Sequence, residues 1–413
     1  MAMTAPPFEP VITSLLDTDL YKFTMLQVML HHNPAAMART EFVCRNAPAY
    51  PLAQLRDALE AQIGHLCSLR FGNEELAYLA SRSYIKPDFI EFLRLFQFQR
   101  QFLTLATEGE HLVVRASGPL LHISLFEIFV LSIVNELYFR AFDPASALAE
   151  GRRRLEAKVR LLRDFEPEAL AGGSHPFELF DFGTRRRFSR AWHEEVVSTL
   201  ARELPRFFKG TSNVDLARRL NLVPMGTMAH EHLQKHQGLG GQLKYSQKAA
   251  LEEWVQEYRG DLGVALTDVI GIDAFLRDFD RYFALLFDGV RHDSGDAFVW
   301  GDKILTHYRQ LKINPHAKRL VFSDGLDLGR AIALWRYFAR DIQTGFGIGT
   351  SLTNDVGLQP LNIVMKLMSV NDQPVAKISD APGKTLCRDP VFLGYLCQVF
   401  GVNPAFINLQ EPA

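Results

Sequence analysis

Apolar and polar positions fall into two regimes along the chain. Up to about residue 142, helical spacings mix with alternating stretches. Leu15–Leu16 followed by Asp17-Thr18-Asp19 reads as a helix start, with Phe23, Leu26, Val28 and Leu30 recurring at helical spacing. Residues 38–45 alternate as a strand does. Residues 52–66, 73–79 and 87–96 are helical, and 102–105 with 111–116 form a strand pair around the Glu108-Gly109 turn. Gly118-Pro119 breaks the chain before 120–139, a run of nearly bilayer length. Glu127, Asn135 and Glu136 would be costly in lipid, so a buried helix and no membrane partner are expected.

From residue 143 short apolar runs alternate with amphipathic helices. Residues 145–163 form a basic amphipathic helix, with the arginines at 152–154 on a solvated face. After Gly172-Gly173 the strands are 177–181, 206–209, 222–225, 263–267, 290–292, 319–322 and 344–348. Helices at 187–203, 213–220, 248–258, 272–286, 300–310 and 328–339 lie among them. This β–α alternation predicts a parallel sheet covered by helices. Seven strands in one run fit a closed or nearly closed barrel better than a two-halved open sheet. The expected organisation is an α+β domain over 1–142 and an α/β barrel over 143–363. The tail, 364–413, has strand and turn character and is expected to rejoin the first domain.

A chain of 413 residues exceeds what a single core usually supports, in accord with two domains. A net charge of −2 gives no reason to expect nucleic acid as a partner. Cys44, Cys67, Cys387 and Cys397 show no metal-binding spacing and read as reduced thiols. The start, MAMTAPPFEPVITSLLDTD, lacks the basic-then-apolar pattern of a secretory signal. A cytoplasmic protein is the expectation.

The chemistry-bearing residues follow the strand ends, where the loops of a β/α barrel build their sites. Asp181-Phe182-Gly183-Thr184-Arg185-Arg186-Arg187 follows the first strand, Gly210-Thr211-Ser212-Asn213 the second, and Gly226-Thr227-x-x-His230 the third. Asp268 ends the fourth and Arg291-His292-Asp293-Ser294-Gly295-Asp296 the fifth. Ser323-Asp324-Gly325 ends the sixth and Gly345-Phe346-Gly347-Ile348-Gly349-Thr350 the seventh. Each alone is an ordinary turn. Together, the glycine loops opening onto helices after the last two strands match a barrel phosphate site. Arg185 and Arg291 offer planar donors to phosphate or carboxylate. Asp293 and Asp324 can hold ribose hydroxyls or Mg²⁺. Tyr21 and Phe182 offer two aromatic faces for a flat heteroaromatic ring. Tyr21, from the first domain, is expected to reach the site from a second subunit. The set describes a site for a phosphorylated sugar and an anionic partner.

Within 223–234, VPMGTMAHEHLQ, Gly226 gives a turn and Thr227 a helix N-cap, which puts His230 at the third helical position. There the positive helix end favours a ring with a free lone pair, and would help hold a phosphoryl group that the ring took up. Glu231 and His232 read equally well as solvated helix residues.

These stretches resemble the nicotinate phosphoribosyltransferase family in its bacterial form. The resemblance runs in order through LLDTDLYKFTM, EFVCR, DFGTRRRFSR, GTSNVDLARRL, PMGTMAHEH, ALTDVI, RHDSGD, VFSDGLDL, FGIGTSLTND and AKISDAPGKT. It implies a type II phosphoribosyltransferase fold, an irregular α/β barrel beside an α+β domain, in a homodimer with sites at the subunit interface. It implies synthesis of nicotinate mononucleotide and pyrophosphate from nicotinate and phosphoribosyl pyrophosphate, the first step of NAD salvage from nicotinate. ATP would be co-substrate and Mg²⁺ cofactor. In that family the histidine matching His230 is phosphorylated by ATP and the carboxylate matching Asp268 orients it. Tyr21 and Phe182 match the residues sandwiching the pyridine ring. Arg185, Thr227 and Arg291 match substrate contacts, and Asp293 a ribose contact. Gly325, Gly349 and Thr350 match the 5′-phosphate site, with Gly347 in the same loop. Where nicotinamide enzymes carry Asp after Gly-Thr, this chain has Ser212, so the acid is the expected substrate. The 238–248 stretch reads as a mobile loop of unassigned role.

Overall fold

Short apolar segments that stop at polar loops build the strands of the computed structural model, which describes residues 8–381, 385 and 387–403. The opening of the N-terminal stretch and residues 382–384 of the AKISDAPGKT motif lie outside the described residues. In chain order the strands are β1 (Met37–Cys44), β2 (Leu103–Glu108), β3 (His111–Pro119), β4 (Phe177–Asp181), β5 (Phe208–Thr211), β6 (Val223–Pro224) and β7 (Arg259–Leu262). They continue with β8 (Val264–Leu266), β9 (Gly289–His292), β10 (Arg319–Phe322), β11 (Gln343–Ile348), β12 (Ile363–Val370) and β13 (Gln373–Pro374).

Two sheets result. The antiparallel one runs β13-β12-β1-β3-β2, so the strand after the barrel lies beside the first strand of the chain. The parallel one has seven strands in the order β6-β5-β4-β11-β10-β9-β8. The first and last strands of the run are neighbours, with Thr344 opposite Phe177 and Ile348 opposite Asp181. The sheet is therefore wound round on itself, an irregular α/β barrel open at one seam between β6 and β8. The seam has a local cause: β6 is two residues long and ends in Pro224, which has no N–H to give a ladder. Thr227 Oγ1 donates across it to the Val264 carbonyl at 2.7 Å.

Two helices begin later or break earlier than the apolar spacing predicts, each at a capping side chain. The 187–203 helix starts at Arg190, with Ser189 accepting from the Trp192 N–H. The 272–286 stretch is two helices, the second capped by Asp280. The long apolar run divides into Leu120–Ile123 and Phe126–Phe139, and 83% of it is buried inside the protein. Burying its phenylalanines and branched residues contributes about 1.5–3 kcal/mol each. Its polar residues face the barrel: Ser132 Oγ donates to the Thr184 carbonyl at 3.1 Å, and Asn135 Nδ2 to that of Arg187 at 2.5 Å. This helix thus carries the arginine-rich loop that follows β4.

The turn before the helix Leu20–His32 is fastened to the same loops. Asp17 accepts two bonds from the Arg187 guanidinium, at 2.6 and 2.7 Å, and one from Asn213 Nδ2 at 2.8 Å. Backbone bonds from Val214 to Thr18 and from Asp215 to Leu16 complete the join. Burial disfavours the Asp17 carboxylate, but the Arg187 charge and hydrogen bonds win and push its pKa down to about 2. Its contribution is therefore fully present above the ordinary carboxylate range and is lost as pH falls toward 2. Asp17→Asn leaves Arg187 an uncompensated buried charge and should destabilise the fold by about 3–5 kcal/mol at pH 7. Chemical denaturation at pH 7 and at pH 2.5 measures this, and the gap between the two proteins should shrink at the lower pH.

Candidate active site

The two sheets enclose a cavity of about 1040 Å³, with barrel loops on one side and residues of β1 and β12 on the other. His230 stands on its wall. The helix it belongs to is His230–Lys235, with Ala229 at the N-cap and no side-chain cap. Thr227 is therefore not the cap, because its hydroxyl is used across the seam, and His230 is the first helical residue rather than the third. Thr227 is not among the lining residues. Side chains, not a long helix dipole, set the surroundings of the ring. His230 Nε2 lies 2.8 Å from Asp268 Oδ1 and 3.5 Å from Asp293 Oδ2.

Asp268 is buried behind the ring, 1% exposed. Its Oδ2 receives Lys377 Nζ at 2.8 Å and Ser294 Oγ at 2.7 Å. Burial pushes this carboxyl up, but Lys377 and His230 outweigh it and hold it well below the usual carboxylate range. An ionised carboxylate only accepts, so the proton between Asp268 and the ring belongs to Nε2, and in the neutral ring the free lone pair is then that of Nδ1. Asp293 is also held low against burial, by His230, Lys377 and Arg291, and Ser323 Oγ lies 2.9 Å from its Oδ1. Asp324 and Gly325 line the same side of the cavity.

Tyr21, Phe182, Arg185 and Ser212 also line the cavity. Tyr21 reaches the cavity from its own chain, so no second subunit is needed to bring it there. Burial, then Glu127 and Asp19, raise its hydroxyl well above the ordinary range, which keeps it a neutral phenol. Gly347 does not line the cavity; a Cβ there would meet the Phe182 ring at 2.2 Å, so the glycine makes room for that ring. Ser212 Oγ donates to Asp19 Oδ1 at 2.7 Å. A carboxyl group, that of Asp19, thus stands beside the serine in the cavity wall. Burial raises the Asp19 carboxyl, against hydrogen bonds from Ser212 and Thr184.

A third region was not legible in the barrel motifs, because the antiparallel sheet supplies part of it. Arg45, Arg186 and Lys366 line the cavity together with Arg185 and Arg291. Burial and neighbouring arginines push Arg186 down to about 9, and burial with Arg45 and Arg388 pushes Lys366 down to about 8. Arg45 is lowered by burial and Arg185. Arg45 Nε and Arg291 Nε are buried without a hydrogen-bond partner. Crowded cations with free donors fit a polyanion. Gly349 and Thr350 complete this wall, and a Cβ on Gly349 would lie 2.9 Å from the Phe182 carbonyl oxygen.

The cluster of Asp268, Asp293 and His230 does not fit a resident Mg²⁺. Asp268 and Asp293 cluster with His230, yet the Lys377 ammonium stands against both, at 2.8 and 3.9 Å. Mg²⁺ wants an octahedron of oxygens, not an ammonium and an N–H.

Lys366 carries its charge below about pH 8 and loses it above. Inorganic pyrophosphate should bind the unaltered protein roughly tenfold more tightly than Lys366→Met at pH 7. Calorimetric titration at a series of pH values should show that ratio collapsing toward one as pH passes about 8.

The sequence matches two family models, described as the nicotinate phosphoribosyltransferase family over residues 177–404 and the nicotinate phosphoribosyltransferase N-terminal domain over residues 16–135. It is 61% identical to the nicotinate phosphoribosyltransferase of Herminiimonas arsenicoxydans, over 95% of this chain and 98% of that one. Identity to that of Chromobacterium violaceum is 58%, over 96% and 99%. The structure resembles the crystal structure of nicotinate phosphoribosyltransferase from Vibrio cholerae with a TM-score of 0.90, at 39% identity and coverage of 97% and 95%. It resembles that from Porphyromonas gingivalis with a TM-score of 0.87, at 33% identity and coverage of 95% and 100%. With fold, motifs and both family models in agreement, the chain belongs to the nicotinate phosphoribosyltransferase family.

Proposed function

We propose that the chain joins nicotinate to phosphoribosyl pyrophosphate, giving nicotinate mononucleotide and pyrophosphate, and uses ATP through a phosphohistidine at His230. The reading makes it the first step of NAD salvage from nicotinate. The observation that carries the phosphohistidine is the bond from His230 Nε2 to an ionised Asp268, which leaves Nδ1 as a nucleophile on the wall of a cation-lined cavity.

In the first half-reaction the Nδ1 lone pair attacks the γ-phosphorus of ATP, and the bond from that phosphorus to the β,γ-bridging oxygen breaks. ADP leaves with the electron pair. The ring keeps its proton on Nε2, and Asp268 balances the positive charge the ring acquires. In the second, the nicotinate ring nitrogen forms a bond to the ribose anomeric carbon as the bond to pyrophosphate breaks. Arg45, Arg186 and Lys366 face the charge that develops on the leaving group. Tyr21 and Phe182 hold the ring, and Arg185 is the cation on that wall for the nicotinate carboxylate. Water then removes the phosphoryl group from His230. Mg²⁺ is read as the companion of the substrates' phosphates rather than a bound resident. Four free cysteines accord with a cytoplasmic setting. The reading includes the homodimer, with sites at the subunit interface, that the resemblance implies.

Incubation with γ-labelled ATP and Mg²⁺ should place acid-labile phosphate on His230. Nicotinate with phosphoribosyl pyrophosphate should discharge it, and His230→Ala should abolish it. Labelling of His230→Ala at the normal level would remove His230 from the role.

Asp19 beside Ser212 favours a second substrate, because an ionised carboxylate there could accept from an amide NH₂. Nicotinate should nevertheless be turned over faster than nicotinamide, and equal rates would undo the preference for the acid.

A further inference from the structure

Lys377 is absent from the barrel motifs and belongs to the segment after β13. That segment is pinned on both sides of the lysine. The Ala376 N–H donates to Gln237 Oε1 at 2.8 Å, and the Ile378 N–H donates to the Val269 carbonyl at 2.7 Å. Between these ties the lysine side chain reaches the cavity and the far oxygen of Asp268.

We propose that Lys377 is the positioning residue of the phosphoryl acceptor, fixing Asp268 so that one oxygen stays on His230 Nε2 and the Nδ1 lone pair stays directed into the cavity. The proposal rests on the phosphohistidine reading above. Asp268 has two oxygens with separate duties. Oδ2 takes Lys377 and Ser294, and Ser294 Oγ in turn accepts the Asp380 N–H at 3.0 Å, so its single proton is committed to Asp268. Oδ1 is thereby left to the ring. Asp293 Oδ2 is only 3.5 Å from the same ring nitrogen and competes for its proton. Lys377 Nζ stands 2.8 Å from Asp268 and 3.9 Å from Asp293, so it both anchors the first carboxylate and draws on the second. Without it, Ser294 alone holds Oδ2 and the two carboxylates share the ring, which turns and takes Nδ1 off line. Geometry within a fraction of an ångström decides such a displacement.

Lys377→Met and Lys377→Arg in the full-length protein test this by single-turnover labelling from γ-labelled ATP. Lys377→Met should slow the labelling rate constant by about 10–100-fold, the range typical of residues that orient a site group. The half-saturating ATP concentration should stay close to that of the unaltered protein, and Lys377→Arg should recover most of the rate. Thermal unfolding is read for each variant, and Lys377→Gln takes the place of Lys377→Met if the latter does not fold. Normal labelling in the charge-removing variant overturns the proposal. So does a loss that tracks unfolding, or one that appears in the ATP half-saturation rather than the rate. Absence of label in the unaltered protein overturns the phosphohistidine reading itself and the proposal with it. Label in that protein with a normal rate in the variant overturns the proposal alone.

Discussion

The bidentate pair between Asp17 and Arg187 is the join on which the rest of the site depends. Both groups are out of reach of water, and either alone would cost several kcal/mol to bury. Together, with Asn213 as a third partner, they fix the turn before the helix Leu20–His32 against the loops after β4 and β5. That one junction sets the distance between Tyr21, on the helix, and Phe182, on the loop. It also sets Lys22, which stands with its ammonium buried between Glu127 and Glu231 at 2.6 and 2.8 Å. Glu231 follows His230 in the chain, so the helix that brings one aromatic wall also braces the turn carrying the histidine.

Around His230 the carboxylates of Asp268 and Asp293 alternate with the donors of the ring and Lys377. Among the cations on the wall, burial first and neighbouring positive charge second weaken the hold of Arg45, Arg186 and Lys366 on a proton. A folded chain tolerates such crowding where a ligand supplies the missing charge, and the crowding itself is then part of the binding energy.

How much of this was legible in the sequence follows from the range over which each feature is determined. β4 and β10 have the predicted bounds, Phe177–Asp181 and Arg319–Phe322, because an apolar run stopped by a polar loop is a local signal. β5 lies two residues later than predicted. The grouping of Arg185, Arg291, His230 and Asp293 followed from one rule, that barrel loops share a face. Thr227 was misread as a cap because its partner, Val264, is across a seam that only the closed-up sheet creates. Arg45, Lys366 and Lys377 escaped notice because the antiparallel sheet and the segment after it bring them in, through the pairing of β12 with β1. No spacing within the sequence encodes that pairing. Asp19 is the instructive case: it was read only as part of a helix start, while it lines the cavity and accepts a hydrogen bond from Ser212.

The choice of a lysine between Asp268 and Asp293, where a divalent ion could be imagined, fits the nucleophilic role proposed for the histidine. A metal held by these carboxylates would take His230 Nε2 as its third ligand, and a ligating nitrogen must give up its proton. The tautomer with Nε2–H and a free Nδ1 would then be lost. An ammonium neutralises the same carboxylates and donates rather than accepts, so it leaves the Nε2 proton in place. A lysine is thus compatible with a nucleophilic Nδ1 and a metal at that place is not, so the two arrangements exclude each other. The distances, with Lys377 on Oδ2 and the ring on Oδ1 of one carboxylate, are those of the first.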